Sequence, residues 1–288
     1  MIARAIGAAL AAAATLAWSA APQVTFRAKR ESVRVDVLVT DHGKPVTGLG
    51  PGDFDVRDNG VAQTVDLAVT DEAPVNAVLA LDMSRSVVGS RLTELCNSAR
   101  SFIGALAGGD RAGLVSFSQI VRLRAPLSID RAGVADALAD ASGSGDTALY
   151  DASYAGLVVG ASDTGRSLML VFSDGVDTAS WLTADAVHDA ARRGDVVVYG
   201  VSDSGVPAFL KDLSAETGGS VIEVRSTKDL GAVFLRVLEE FRHRYLLSYS
   251  LKDVPRDGWH RLEVKVRARN GLAIKARPGY LAGHGDRN

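Results

Sequence analysis

The stretch Ala77-Val78-Leu79-Ala80-Leu81-Asp82-Met83-Ser84-Arg85-Ser86-Val87 decides the fold. Its first five residues form an unbroken apolar run, too short for a helix and without the alternation of a half-exposed strand. It reads as a strand buried on both faces. The run ends in D-x-S-x-S, three oxygen-bearing side chains at alternate positions on a loop leaving a strand, where they can converge on one point. A carboxylate with serine hydroxyls suits a hard cation such as Mg²⁺, which takes near-octahedral oxygen. The same residues would also serve as a helix N-cap for the helix starting near Val87.

Outward from this stretch, residues 75–244 alternate short apolar runs with helical periodicity. Leu92, Leu95, Cys96, Ala99, Phe102, Ile103 and Leu106 recur at helical spacing, and Cys96 falls on that apolar stripe. Residues 112–117 and 120–127 read as strands, the second antiparallel after a tight turn. Residues 134–141 and 149–159 are helical, 168–172 is a buried strand, 184–193 a helix and 196–201 a strand. Residues 207–217, 221–224 and 230–244 close the series. Strand and helix in alternation predict a doubly wound, mostly parallel α/β sheet, Rossmann-like, with helices on both faces. Ligands in such sheets bind at the carboxyl ends of the strands.

Two further strand-end features join the first. Gly145-Asp146-Thr147-Ala148-Leu149 places a threonine at the opening of a helix. Leu170-Val171-Phe172-Ser173-Asp174-Gly175 places an aspartate directly after a buried strand. Together the three resemble the von Willebrand factor type A (VWFA) domain, whose metal-ion-dependent adhesion site uses D-x-S-x-S, a distant Thr and a distant Asp. The resemblance covers about residues 76–244, with all five ligand positions filled. It implies that Asp82, Ser84 and Ser86 sit closest to the metal, that Thr147 ligates directly or through water, and that Asp174 acts mostly through a water. Mg²⁺, Mn²⁺ or Ca²⁺ is the expected cofactor. A coordination position facing solvent would then accept an Asp or Glu carboxylate from a protein partner.

The ends of the chain differ in kind. Val33, Val35, Val37 and Val39 alternate with Arg34, Asp36, Leu38 and Thr40, giving one apolar face. Residues 54–57 lead into Asn59-Gly60, a strong hairpin signal, with 61–69 as the return strand. Residues 245–251 read as a strand, and Leu262, Val264, Val266 and Ala268 alternate with charged residues before a turn at Asn270-Gly271. Neither end has strands enough to be stable alone. We therefore expect residues 22–75 and 245–288 to be the two halves of one small β-sandwich into which the 76–244 domain is inserted. Gly43-Lys44-Pro45-Val46-Thr47-Gly48-Leu49, Asp53-Phe54 and Arg277-Pro278-Gly279-Tyr280 resemble a bacterial secreted family described only as VWFA-related, which supports this architecture.

The 288 residues, 47% hydrophobic and 23% charged with a formal net charge of −2, suffice for a large core. Near-neutral charge argues against a nucleic-acid binder. One cysteine excludes a disulfide framework and every multi-Cys zinc site. Residues 1–21 carry Arg4, an alanine-rich apolar stretch and small residues at Ala17, Ser19 and Ala21, the pattern of a cleaved secretory signal peptide. An uncleaved anchor is the alternative, but Pro22 and Gln23 shorten the apolar part below the ~20 residues a membrane span needs. Export is expected, whether to periplasm, cell surface or medium, with no transmembrane span in the mature chain.

Catalysis is not expected. No G-x-S-x-G, H-E-x-x-H or P-loop string occurs, and the five histidines, scattered over turns and polar helix positions, read as solvated. Asp151 and Asp177 could support the metal ligands from behind, but Asp151 reads first as an exposed helix carboxylate and Asp177 as a loop cap. From residue 251 onward nine Lys and Arg face four Asp and Glu, which reads as a solvated strand face. The expected function is that of an exported, divalent-cation-dependent protein-binding or adhesion module. A structural or assembly subunit of the cell envelope, whose metal only stabilises loops, is the alternative.

Overall fold

The structure, a computed structural model, describes residues 32–69, 73–162, 164–267 and 271–283. The signal-peptide expectation for residues 1–21 and the Asn270 part of the last turn lie outside the described residues.

The valine alternation becomes strand β1 (Ser32–Asp41), turned by His42 and Gly43 into the short β2 (Lys44–Pro45). Strand β3 (Phe54–Asp58) turns through Asn59 (φ 47°) and Gly60 (φ 82°) into β4 (Val61–Gln63). Two successive positive φ angles are what a two-residue primed turn requires, hence Asn-Gly. The expected single return strand over 61–69 is in fact two. It breaks at Thr64 into β4 and β5 (Val65–Val69), and the two halves join different sheets.

The α/β region begins with β6 (Val75–Asp82), followed by α1 (Ser90–Gly104), β7 (Arg111–Phe117), β8 (Val121–Ser128), α2 (Ala132–Ala139) and α3 (Leu149–Gly160). Strand β9 (Arg166–Phe172), α4 (Ala184–Arg193), β10 (Val197–Ser202), α5 (Ala208–Glu216), β11 (Val221–Glu223) and α6 (Leu230–Arg242) complete it. Among the described residues six strands form its sheet, in the order β11-β10-β9-β6-β7-β8. All neighbours are parallel except β8, which pairs antiparallel with β7.

Strands β6 and β9 are buried along their whole length, which is why their sequences run apolar without alternation. Their side chains still alternate between the two faces. Leu79 and Leu81 meet α1 and α6 on one side, where Phe102 and Phe234 pack edge-on. Val78 and Ala80 meet α3, α4 and α5 on the other. Helix α1 presents Leu95, Cys96, Ala99, Phe102 and Ile103 as one buried stripe. Because β7 lies on one side of β6 and β9 on the other, the chain reverses winding direction between β6 and β9. The crevice beyond their carboxyl ends is the place such sheets keep for ligands.

The chain continues into β12 (Tyr245–Ser250), β13 (Gly258–Val266), β14 (Ala273–Lys275) and β15 (Gly279–Ala282). Strands from both ends of the chain interleave. One antiparallel sheet has the order β14-β1-β12-β5, with β2 on β1, and the other β15-β13-β3-β4. Between them lies an apolar core that includes the four β1 valines, Phe54, Val56, Tyr245, Leu247 and Tyr249.

Strand β1 does not keep one solvated face. Asp36 and Leu38 are buried too, because the other side of this sheet packs on the α/β region. There Arg166 of β9 donates from Nε (2.8 Å) and Nη2 (2.6 Å) to Asp36 Oδ1, and stacks over Phe241 at 4.8 Å.

Two other expectations are corrected. His260 is fully buried rather than solvated, bonded through Nδ1 to Asp58 Oδ1 at 2.7 Å. Tyr249 and Tyr280 donate to the other oxygen of that carboxylate at 2.9 and 2.8 Å. Asp151 is not a free helix carboxylate, as its partners in the site loops show.

Candidate functional site

The carboxyl end of β6 delivers Asp82 into the crevice, fully buried. A short apolar strand leaves its last side chain no choice of place. The backbone then turns sharply, with Ser84 N–H donating to Asp82 Oδ1 (2.9 Å) and Val87 N–H to the Ser84 carbonyl (3.0 Å). This self-capping aims both serine hydroxyls the same way: Ser84 Oγ and Ser86 Oγ are 2.9 Å apart. From the end of β9, Ser173 Oγ donates to Asp82 Oδ2 (2.8 Å), and Ser86 Oγ donates to Asp174 Oδ1 (2.8 Å). Asp82, Ser84, Ser86 and Asp174 therefore form one hydrogen-bonded group spanning the β6 and β9 loops.

Thr147 lies in the adjoining loop before α3, buried, with its hydroxyl making no hydrogen bond to the other four. That loop is tied to the first one: Arg85 N–H donates to the Gly145 carbonyl (3.0 Å) and Ser144 N–H to the Met83 carbonyl (2.9 Å). Gly145 has φ +79°, a conformation that suits glycine. Thr147 also accepts, through its carbonyl, the N–H groups of Thr178 (2.8 Å) and Ala179 (3.1 Å). Asp151 and Asp177 clamp the same two segments. Tyr150 N–H donates to Asp177 Oδ1 (3.1 Å), and Trp181 and Leu182 N–H donate to the two oxygens of Asp151 (3.0 and 2.8 Å).

Residues that spacing alone did not single out complete the electrostatics. Arg91, on the first turn of α1, donates to the Ser86 carbonyl (2.8 Å) and bridges Asp174 Oδ2 (2.8 Å) and Asp203 Oδ1 (2.8 Å). Asp203 is the residue directly after buried β10, so the strand-end rule that found Asp174 would also find it. Ser173 had the same signal. Burial raises the pKa of Asp82 above the ordinary carboxylate value, against the pull of its bonds to Ser84 and Ser173, and the nearby charge of Asp174 adds to the rise.

Among the described residues no group of three His, Cys, Asp or Glu side chains could hold a metal. The donors gathered here are instead two carboxylates with serine hydroxyls. They are all oxygen, with enough negative charge to balance a divalent ion, which fits a hard cation. Asp82, Ser84, Ser86 and Asp174 would hold it, with Thr147 in the adjoining loop; such an ion supplies an electrophilic point at which an oxyanion can bind.

A sheet of this order with helices on both faces has relatives among known proteins. Residues 77–176 match the family model of the von Willebrand factor type A domain. A comparison with curated proteins gives no match. Among solved structures the chain is similar to proximal thread matrix protein 1 from the mussel byssus, described with a zinc-occupied MIDAS motif (TM-score 0.56, 16% identity). The likeness covers 65% of this chain and 50% of the mussel chain. It is also similar to a von Willebrand factor type A protein from Catenulispora acidiphila (TM-score 0.52, 13% identity, 80% and 73% covered). A third is the PilB minor pilin from Streptococcus sanguinis, solved as a mutant (TM-score 0.51, 13% identity, 61% and 63% covered). At these identities the likeness is one of fold.

Proposed function

We propose that this chain is an exported protein-binding module that captures a partner's Asp or Glu carboxylate through a divalent cation, Mg²⁺, Mn²⁺ or Ca²⁺. Asp82, Ser84 and Ser86 bind the ion directly, Asp174 mainly through water, and Thr147 directly or through water. The observation that carries the reading is the hydrogen-bonded group from Asp82 through Ser84 and Ser86 to Asp174, which brings two loops to one point at the winding reversal of the sheet. The interleaved end strands, β1–β5 and β12–β15, act as a β-sandwich that supports the inserted 76–244 domain.

The protein is a binder rather than a catalyst in this reading: His260 and Asp58, the pair closest in kind to an acid–base couple, are both sealed between two sheets. Among the described residues no helix is long and apolar enough to cross a membrane, and export rests on the pattern of residues 1–21. The resemblance to a byssus matrix protein and a pilin in fold is compatible with an adhesive role.

The test is metal-dependent thermal stability. Mg²⁺ or Mn²⁺ raises the Tm of the purified chain, and Asp82→Ala abolishes that rise. An equal rise in Asp82→Ala would remove the site. Stabilisation by metal with no effect of added carboxylate peptides would favour the assembly-subunit reading instead.

A further inference from the structure

Beside the metal loops lies a polar cleft of about 290 Å³ along edge strand β8. Its lining includes the hydroxyl residues Ser116, Ser118, Ser142 and Ser144 and the guanidinium residues Arg122 and Arg124. The cleft shares Met83 with the D-x-S-x-S loop. Met83 N–H donates to the Phe117 carbonyl (2.6 Å), and Ala148 N–H, next to Thr147, donates to the Ser118 carbonyl (2.8 Å). Cleft and metal loops are thus built on the same backbone.

The charge in this cleft is uncompensated. Arg85 is bonded to Asp146, Arg91 to Asp174 and Asp203, and Arg166 to Asp36. Arg122 makes no hydrogen bond or ion pair with any described residue, and Arg124 reaches only the Ala137 carbonyl, at 3.5 Å. Ser116 stands opposite Arg122 across the β7–β8 ladder. The hydroxyls of all four serines make no hydrogen bond within the described chain, although Ser116 and Ser118 are largely buried. Four hydroxyl donors and two guanidinium groups with no facing carboxylate form a receptor for an oxyanion.

We propose that this cleft is a second anion subsite, holding a further Asp or Glu side chain of the same partner whose first carboxylate meets the metal. The proposal rests on the metal-binding reading above. The carboxyl end of β6 is two strands from β8, about 10 Å at the usual strand spacing. In an extended peptide, residues two or three apart lie about 7–10 Å from one another. The partner segment therefore carries two acidic residues two or three positions apart.

The experiment measures fluorescence anisotropy of labelled glycine peptides bearing one glutamate, or two glutamates three apart, with the full chain in Mg²⁺ and in EDTA. The two-glutamate peptide binds about tenfold more tightly, as expected for one added charge-assisted contact. The variant R122Q/R124Q, on an exposed edge and checked by circular dichroism, removes that gain and leaves one-glutamate binding unchanged. No gain in the wild type, or a gain that survives in R122Q/R124Q, overturns the subsite. One-glutamate binding that is indifferent to EDTA sinks the metal reading and, with it, the pairing of this cleft with a metal-bound carboxylate, whereas loss of the two-glutamate gain with EDTA-sensitive one-glutamate binding sinks the subsite alone. Inorganic phosphate, titrated in EDTA, separates a free-anion site from a peptide site: saturable phosphate binding without any two-glutamate gain overturns the peptide assignment.

Discussion

Single residues hold the molecule together where sequence patterning gave no warning. Asp36 sits on the polar side of the β1 alternation, yet it is buried against Arg166, itself 2% exposed. Removing one member of such a pair strands the other charge away from water. Arg166→Ala is expected to cost about 3–5 kcal/mol, whereas the apolar double replacement Asp36→Leu/Arg166→Met costs much less; urea unfolding of the two variants measures both. Cys96 supplies a chemical check on the α1 core. Burial pushes its thiol up, outweighing the pull of Arg100, so the reactive thiolate is scarce in the folded chain. A thiol reagent at pH 8 should leave Cys96 untouched in the native protein and modify it in denaturant. Rapid labelling without unfolding would contradict the packing of α1.

Elements place the site, and here sequence and structure can be compared directly. The runs at β6 and β9 read as buried strands because both faces are covered, and helix α4 has its expected bounds. The D-x-S-x-S string announced its own loop. What spacing could not show is which strand ends become neighbours, so Arg91 and Asp203 escaped notice, although Asp203 follows a buried strand. The split of residues 61–69 escaped because a strand changing sheets keeps the same apolar character on both sides of the break. His260 was legible in principle: stepping the Leu262, Val264, Val266 alternation back by two reaches it. The loop clamp makes a prediction at this scale. Asp151→Ala frees the Trp181 and Leu182 N–H groups without touching a proposed ligand. Mg²⁺ affinity by calorimetry should fall about tenfold, as when support behind a metal site is removed, and amide exchange across 174–182 should quicken. Unchanged affinity would mean that the clamp does not position Asp174.

At the scale of the whole molecule, the two ends of the chain depend on each other. Strand β1 pairs with β12, and β3 with β13, so a chain ending at residue 244 should lose amide protection over 32–69 while the α/β region keeps its own. The core between the two sheets should also be sensitive to alkali. Burial, reinforced by the Asp58 charge and the hydrogen bonds to it, holds the phenols of Tyr249 and Tyr280 above their usual value near 10. In the unfolded chain these tyrosines ionise near pH 10 while the folded ones remain neutral. Their contribution is therefore complete below about pH 10 and declines as pH rises beyond it. Unfolding followed by tyrosine absorbance should show that decline, and Tyr249→Phe/Tyr280→Phe should flatten it.

The α/β region leaves β5 and re-enters at β12, and these two strands are paired, Val69 opposite Leu246. Tension applied to the two ends of the described chain is met first by the β1–β12 and β13–β15 ladders, and reaches that rung only after they open. The Asp82 and Asp174 loops lie behind that rung and bear no load until it too parts, so a contact made there would keep its geometry while the end strands are already stretching.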